Sequence, residues 1–369
     1  MAGLYIHIPF CKSRCLYCDF YSTTRLDLRQ QYVDALCCEM QLRAHEASCI
    51  DTVYLGGGTP SQLTAGQLLQ LFEAIYIYNN VSTGAEVTIE CNPDDVTDGF
   101  AERLSQLPVN RVSMGAQTFA DERLCFLHRR HRSSQIAGAV SLLRRQGIRN
   151  ISIDLMYGFP GETMDEWATD VQTALALGVE HLSAYALQYE EGTPLFAMLQ
   201  RGQVSEVDDE LSRRMYYHLV DRLTSAGYEH YEISNFALTG YRSRHNSSYW
   251  NQTPYTGLGA AAHSFDGTSR WWNVSDIQQY ITGIERGEPC VERELLTPDN
   301  RYNEMVMTAL RTCEGLSLSA LSDGHRTFCL RQARRFLEGG LLEQRHGRLL
   351  LTHDGLFVSD MVMTELMKV

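Results

Sequence analysis

Six short runs rich in β-branched and aromatic residues recur through the first half of the chain: LYIHIPF, TVYLGGG, EVTIECNP, RVSMGAQ, ISIDLMYGFP and HLSAYALQ. Each is bounded by Gly, Pro or Asn, and such runs predict strands. Longer amphipathic stretches lie between them, among them QQYVDALCCEMQLRAHEA, SQLTAGQLLQLFEAI and SSQIAGAVSLLRRQG. These predict helices, with Ser61 or Thr64 as cap of the second and Gly147 as the end of the third. Repeated strand–helix units mean an α/β fold built on a parallel sheet. Polar and glycine residues gather at the C-terminal ends of the runs: Gly56 to Thr59, Glu90 to Pro93, Gln117 and Asp154. Strand ends are where such sheets and barrels place their sites.

The remainder is less regular. A helix is predicted near 207–226, followed by a loop-rich, aromatic stretch. From Leu295, RYNEMVMTALRT and CLRQARRFLEGG read as helices, and GLLEQRHGRLLLTHDG as a hairpin turning at His346-Gly347. That order suggests a small α+β unit of winged-helix type. The expected organisation is a barrel over 1–235, a connecting region over 236–294 and a tail domain over 295–369.

Lys and Arg number 32 against 45 Asp and Glu, a net charge of −13. The tail carries nine of each, so the acidic excess lies wholly before it. An acidic body and a neutral tail exclude nucleic acid as the main partner, because phosphate binding needs a basic face. No apolar run approaches the roughly 20 residues of a membrane span. No basic segment followed by an apolar one opens the chain, so a cytoplasmic protein is expected.

Eleven cysteines are present, in a composition otherwise ordinary for a globular protein. Eight of them (Cys37, Cys38, Cys49, Cys91, Cys125, Cys290, Cys313 and Cys329) show no ligand spacing and read as small buried apolar residues. Cys11, Cys15 and Cys18 differ, with the spacing Cys-x3-Cys-x2-Cys. Structural zinc commonly takes two separated pairs, and here His7 would have to serve as a fourth ligand. A four-iron cluster held by three thiolates keeps one iron open to a small molecule. Such a cluster, once reduced, can chelate the amino and carboxylate groups of S-adenosylmethionine and pass one electron to its sulfonium. Tyr17 stands beside the third cysteine, where it could pack on the adenine.

The cysteine motif, the YLGGGTP that follows and the strand–helix alternation resemble the radical SAM superfamily, whose core is a partial (β/α)6, TIM-like barrel. YIHIPFCKSRCLYC is closer still to the group containing oxygen-independent coproporphyrinogen III oxidase. The resemblance covers most of the chain. It implies a [4Fe–4S] cluster on Cys11, Cys15 and Cys18, and S-adenosylmethionine held at successive strand ends. By that resemblance Tyr5 sits by the cofactor, and Gly57, Gly58 and Thr59 approach the methionine amino group. Glu90 accepts from a cationic or hydroxyl group, and Gln117 and Asp154 hold the ribose hydroxyls. Arg129 pairs with the carboxylate, and Ala186 offers its backbone to the adenine. On the residues alone, Glu90 and Asp154 could equally cap the next helices, and the HRRHR run containing Arg129 could be a solvated face.

Two features separate the chain from the oxidase itself. The oxidase motif continues to a fourth cysteine where this chain has Phe20, and only ten residues precede Cys11. Both match the HemW-type heme chaperones, a sister group that resembles the oxidase. A second mark of that group is HNSSYW: His245, Asn246, Tyr249 and Trp250. An imidazole is a common axial ligand of heme iron. His245 is therefore the heme candidate, with Asn246 as a candidate tautomer-fixing partner and Tyr249, Trp250 and Tyr255 as flanking aromatics; His263 is a second candidate. The resemblance implies heme as cargo and acceptor apoproteins at the inner membrane face, with peripheral docking. A homodimer is compatible with it. A radical enzyme acting on a porphyrin is the alternative.

Overall fold

The computed structural model describes residues 2–44 and 49–368. Strands β1 (Ala2–Ile8), β2 (Ile50–Gly57), β3 (Val81–Cys91), β4 (Arg111–Gln117), β5 (Asn150–Tyr157) and β6 (His181–Ala186) pair in that order, all parallel. All six predicted strands are present, joined by helical crossovers. The predicted helices form over Arg29–Leu42, Ala65–Tyr78 and Ser133–Arg145. The expected continuation of the first through 45–48 lies outside the described residues. Thr64, not Ser61, caps the second helix, reciprocally with Gln67. Gly147 leaves the third at φ +87°, a conformation that suits glycine.

The strands alternate in a way that decides the architecture. On β4, Val112, Met114 and Ala116 are fully buried in the main apolar core. Their neighbours Arg111, Ser113, Gly115 and Gln117 line an internal cavity. On β3, Val87 and Ile89 join the core and Glu90 faces the cavity; on β5, Ile153 and Leu155 join the core and Asp154 faces it. Because strand side chains alternate faces, a sheet with this pattern curls polar side inward and apolar side against its helices. The result is a partial barrel with a polar lumen.

The stretch expected to be a loop-rich connection is instead part of the sheet. β7 (Glu229–Glu232) and β8 (Asn235–Ala237) extend it antiparallel beyond β6. A helix follows over Arg244–Trp250. Then β9 (Tyr255–Leu258) pairs parallel with β1. It is followed by β10 (His263–Phe265), β11 (Ser269–Asn273) and β12 (Val291–Leu295), each antiparallel to the last. Buried Glu39 secures this extension. Its carboxylate accepts from the Gly259 amide (2.9 Å), Asn273 Nδ2 (2.8 Å) and the Tyr280 hydroxyl (2.6 Å).

The tail has its own core, built on the helices Pro298–Ala309 and Asp323–Glu338. Its small antiparallel sheet has the order β13 (Leu316–Ser317), β15 (Arg348–Leu351), β14 (Leu342–Arg345). The predicted hairpin turns at His346 and Gly347, both at positive φ (51° and 74°), as a tight turn matching strand twist requires. The tail abuts the open side of the barrel through an Arg311–Glu232 ion pair of 2.8 Å. No described helix is long and apolar enough to cross a membrane.

One expectation fails broadly. Of the eight cysteines read as buried, only Cys91 and Cys329 are; Cys125, Cys290 and Cys313 are exposed, and Cys37, Cys38 and Cys49 are half-buried. A thiol is small enough for a surface helix or loop to tolerate, so its apolar character does not force burial.

Candidate functional site

The lumen opens into one cavity of about 860 Å³. Its mouth is the cysteine loop between β1 and the first helix. Cys11, Cys15 and Cys18 all line it, unbridged, with Leu16 buried beneath them as the anchor of the loop. Phe20, at the position that separates the chain from the oxidase, is 65% exposed at the rim. The Cys11 thiol lies 3.6 Å from Thr59 Oγ1, and the Cys15 thiol 3.6 Å from Arg129 Nη1.

The upper walls hold the other expected residues. Tyr5, Tyr17, Gly57, Gly58, Thr59, Glu90, Gln117, Arg129, Asp154 and Ala186 all border the cavity. Gly57 sits at φ +107°, and a Cβ on Gly58 would fall 2.7 Å from the Pro9 carbonyl carbon, so the loop must be bare backbone there. Glu90 accepts from the Tyr54 hydroxyl (2.7 Å) and the Gly57 amide (3.2 Å) and caps no helix. Burial raises its carboxyl to about 7, despite Tyr54. Burial likewise raises Asp154, which Ser113 approaches at 3.5 Å. Arg129 is no solvated face. Its guanidinium turns inward, donating to Asn92 Oδ1 (2.7 Å) and the Gly115 carbonyl (2.5 Å), while its Nε has no hydrogen-bond partner among the described residues. Gln117 occupies the left-handed region at φ 67°, a strained placement that surrounding structure has to enforce.

The floor is the HNSSYW helix. Ser243 caps it, and buried Glu86 accepts from the Arg244 and His245 amides at 3.1 and 2.9 Å. His245 is fully buried. Its Nδ1 meets Thr52 Oγ1 at 2.8 Å and its Nε2 the Tyr249 hydroxyl at 2.9 Å. Its ring stacks on Tyr54 at 5.1 Å. Burial, with Arg111 as a second cause, holds the imidazole neutral, its pKa lowered to about 3. Thr52 and Tyr249, not Asn246, therefore fix the ring, and both nitrogens are engaged. Asn246 and Tyr249 border the cavity. Trp250 does not; it lies under the Arg311 guanidinium at 5.0 Å. His263 is exposed, stacked on Trp272 at 5.5 Å.

Sequence reasoning passed over several lining residues. Tyr54 and Arg111 occupy the depth of the lumen, and Arg311, Phe357 and Asp360 reach it from the tail. Period-two alternation within RVSMGAQ was the signal for Arg111. The tail residues carried none, because their approach depends on how two units pack.

The donors fit a multi-iron cluster better than a single ion. No three His, Cys, Asp or Glu side chains converge closely enough to share one metal among the described residues. Three thiols spread around one mouth suit a cluster whose irons each take one thiolate. The bare glycine loop and the unpartnered Arg129 Nε leave room and charge for an amino-acid group beside it.

Comparison with known proteins agrees with this geometry. The Radical SAM superfamily model matches residues 5–174, and the HemN C-terminal domain model residues 296–358. The heme chaperone HemW of Mycobacterium tuberculosis (strain ATCC 25618 / H37Rv) is 35% identical over 99% of this chain and 94% of its own length. That of Bacillus subtilis (strain 168) is 34% identical over 96% of each. The mitochondrial radical S-adenosyl methionine domain-containing protein 1 of Bos taurus is 30% identical over 99% of this chain and 87% of its own. The solved structure of coproporphyrinogen III oxidase (HemN) from Escherichia coli covers 100% of this chain and 90% of that one, with a TM-score of 0.86. At 22% identity it shows a shared fold. With whole-length relatives, a thiol-lined barrel mouth and a matching tail domain, the chain belongs to the HemW family of the radical SAM superfamily.

Proposed function

We propose that this protein is a heme chaperone, binding heme and passing it to acceptor apoproteins of the respiratory membrane. The observation that carries the reading is the similarity to proteins named heme chaperone across nearly the whole chain, tail included. In this reading Cys11, Cys15 and Cys18 hold a [4Fe–4S] cluster, and the upper cavity holds S-adenosylmethionine. When bound, that pair supplies one-electron reduction of a sulfonium. The chain's own part is positional. Arg129, pinned by Asn92 and Gly115, presents its guanidinium to the methionine carboxylate. Gly57 and Gly58 let backbone approach the amino group, which Glu90 faces. Gln117 and Asp154 take the ribose hydroxyls, and Tyr17 and Ala186 border the adenine. The protein works in the cytoplasm and meets its acceptors peripherally at the inner membrane face.

For the cargo, ligation of iron by His245 requires that Tyr249 release Nε2; His263 faces solvent without that restraint. Anaerobic titration of the cluster-reconstituted protein with hemin tests the reading, on wild type, His245→Ala and His263→Ala. Saturable binding of about one heme per chain, with a Soret band shifted in one variant, is the expected result. No saturable binding in the wild type would overturn it.

The continuity of the cavity from the thiols to the floor favours one second reading, a radical enzyme acting on a porphyrin. Under the chaperone reading, anaerobic incubation with coproporphyrinogen III, S-adenosylmethionine and reductant yields no protoporphyrinogen. Under the second it does, with 5′-deoxyadenosine accumulating.

A further inference from the structure

Arg111 opens β4 at the depth of the lumen and is 1% exposed. It borders the cavity, yet its Nε and Nη1 have no hydrogen-bond partner among the described residues. Of the other three arginines at this cavity, Arg14 is exposed on the cluster loop and the remaining two are paired. Arg129 has Asn92, the Gly115 carbonyl and the Cys15 thiol; Arg311 has Glu232 at 2.8 Å. The groups around Arg111 are committed elsewhere. Glu90 and Asp154 feel its charge, but Glu90 serves Tyr54 and Gly57, Asp154 takes Ser113 at 3.5 Å, and neither forms an ion pair with it among the described residues; His181 lies between Ser152 and Tyr231 at 2.8 Å from each. A buried guanidinium with two nitrogens left without hydrogen bonds is costly. Its planar fork is shaped for a carboxylate. A cavity of this volume is large enough to bring one in.

We infer that Arg111 is a seat for a ligand carboxylate deep in the cavity, beyond the reach of the cluster loop. In the proposed function Arg129 takes the carboxylate of S-adenosylmethionine, so the group left for Arg111 is a propionate of a tetrapyrrole. The inference rests on that proposal for its ligands and deepens it by naming the group held. It also accounts for a buried guanidinium that keeps two nitrogens unpartnered among the described residues.

The test compares wild type, Arg111→Met and Arg111→Lys, each reconstituted with its cluster under anaerobic conditions. Three ligands are titrated: deuteroporphyrin IX, its dimethyl ester and S-adenosylmethionine. Thermal unfolding is followed in parallel without ligand. The expected result is a free Arg111→Met protein at least as stable as wild type, with a tenfold or greater loss of affinity for one carboxylate ligand. Loss for deuteroporphyrin but not its ester assigns the seat to the cargo; loss for S-adenosylmethionine instead moves the methionyl carboxylate from Arg129 to Arg111. Arg111→Lys should lose less than Arg111→Met. Unchanged affinity for all three ligands, or a lower melting temperature with affinities intact, makes Arg111 structural and overturns the inference. If the wild type binds no porphyrin, the chaperone reading fails by itself, and the S-adenosylmethionine arm still decides the seat.

Discussion

The mouth and the floor of the cavity are built from the same strands by opposite means. The mouth is loop: three thiols, a glycine run and an exposed Phe20, with backbone left bare and polar groups left open. The floor is a polar core, where buried Thr52, Glu86 and His245 and half-buried Tyr249 are joined by hydrogen bonds. Openness at one end is what a cofactor needs; closure at the other is what holds a barrel with a polar lumen in one shape. Arg111 breaks this division, a floor residue left as open as the mouth.

The comparison breaks first at the thiols. Cys15→Ser should abolish cluster assembly, with iron and sulfide falling to background after reconstitution, while the far-ultraviolet circular dichroism stays that of the wild type. Loss of folded structure would show that the mouth, too, is structural. Glu86→Ala is the matching test of the floor. It strips one buried and one part-buried amide of their acceptor, at about 1–3 kcal/mol each, so denaturant unfolding should show a loss of about 2–6 kcal/mol. A loss under 1 kcal/mol would mean that the floor helix is not fixed by Glu86.

A pH series sharpens the same contrast. In the folded chain His245 is held near 3, against 6.5 for the free side chain. Between these values the unfolded chain takes up a proton that the folded chain refuses. The stability that neutral His245 supplies is thus complete above about pH 6.5 and drains away as the pH falls. The advantage of wild type over His245→Gln should shrink from pH 6.5 towards 4, by at most about 1.4 kcal/mol per pH unit. An advantage independent of pH would mean that the ring is solvated. The smallest effect belongs to Phe20→Cys. The residue is exposed, so stability should move by no more than about 0.5 kcal/mol. Gain of coproporphyrinogen decarboxylation in that variant would show that one side chain separates the two groups.

Legibility followed the reach of each signal. The six strands, their helices and the hairpin at His346-Gly347 are local, set by periodicity and turn chemistry within a few residues. The site at the mouth was legible because its residues sit in short motifs at strand ends, and all ten expected cofactor residues border one cavity. Six of the eight remaining cysteines were misjudged because burial is decided by neighbours that a spacing does not report. HNSSYW was legible as a mark of kinship, while its local role was not. That His245 is held by Thr52 and Tyr249, in a helix whose first amides donate to Glu86, depends on three segments far apart in the chain.

The amino-acid sequence by itself determined the βα alternation, the three-thiol motif with Phe20 in place of a fourth cysteine, and the kinship these carry. Only the tertiary structure decided that β9 pairs onto β1 and carries β10 and β11 outside it, that the tail reaches the cavity, and that Arg111 lies in the lumen with two nitrogens unpartnered among the described residues. The reason is physical. Strand and turn preferences are written in contiguous residues, whereas the fate of a buried charge depends on which side chains the closed barrel brings within hydrogen-bonding distance of it.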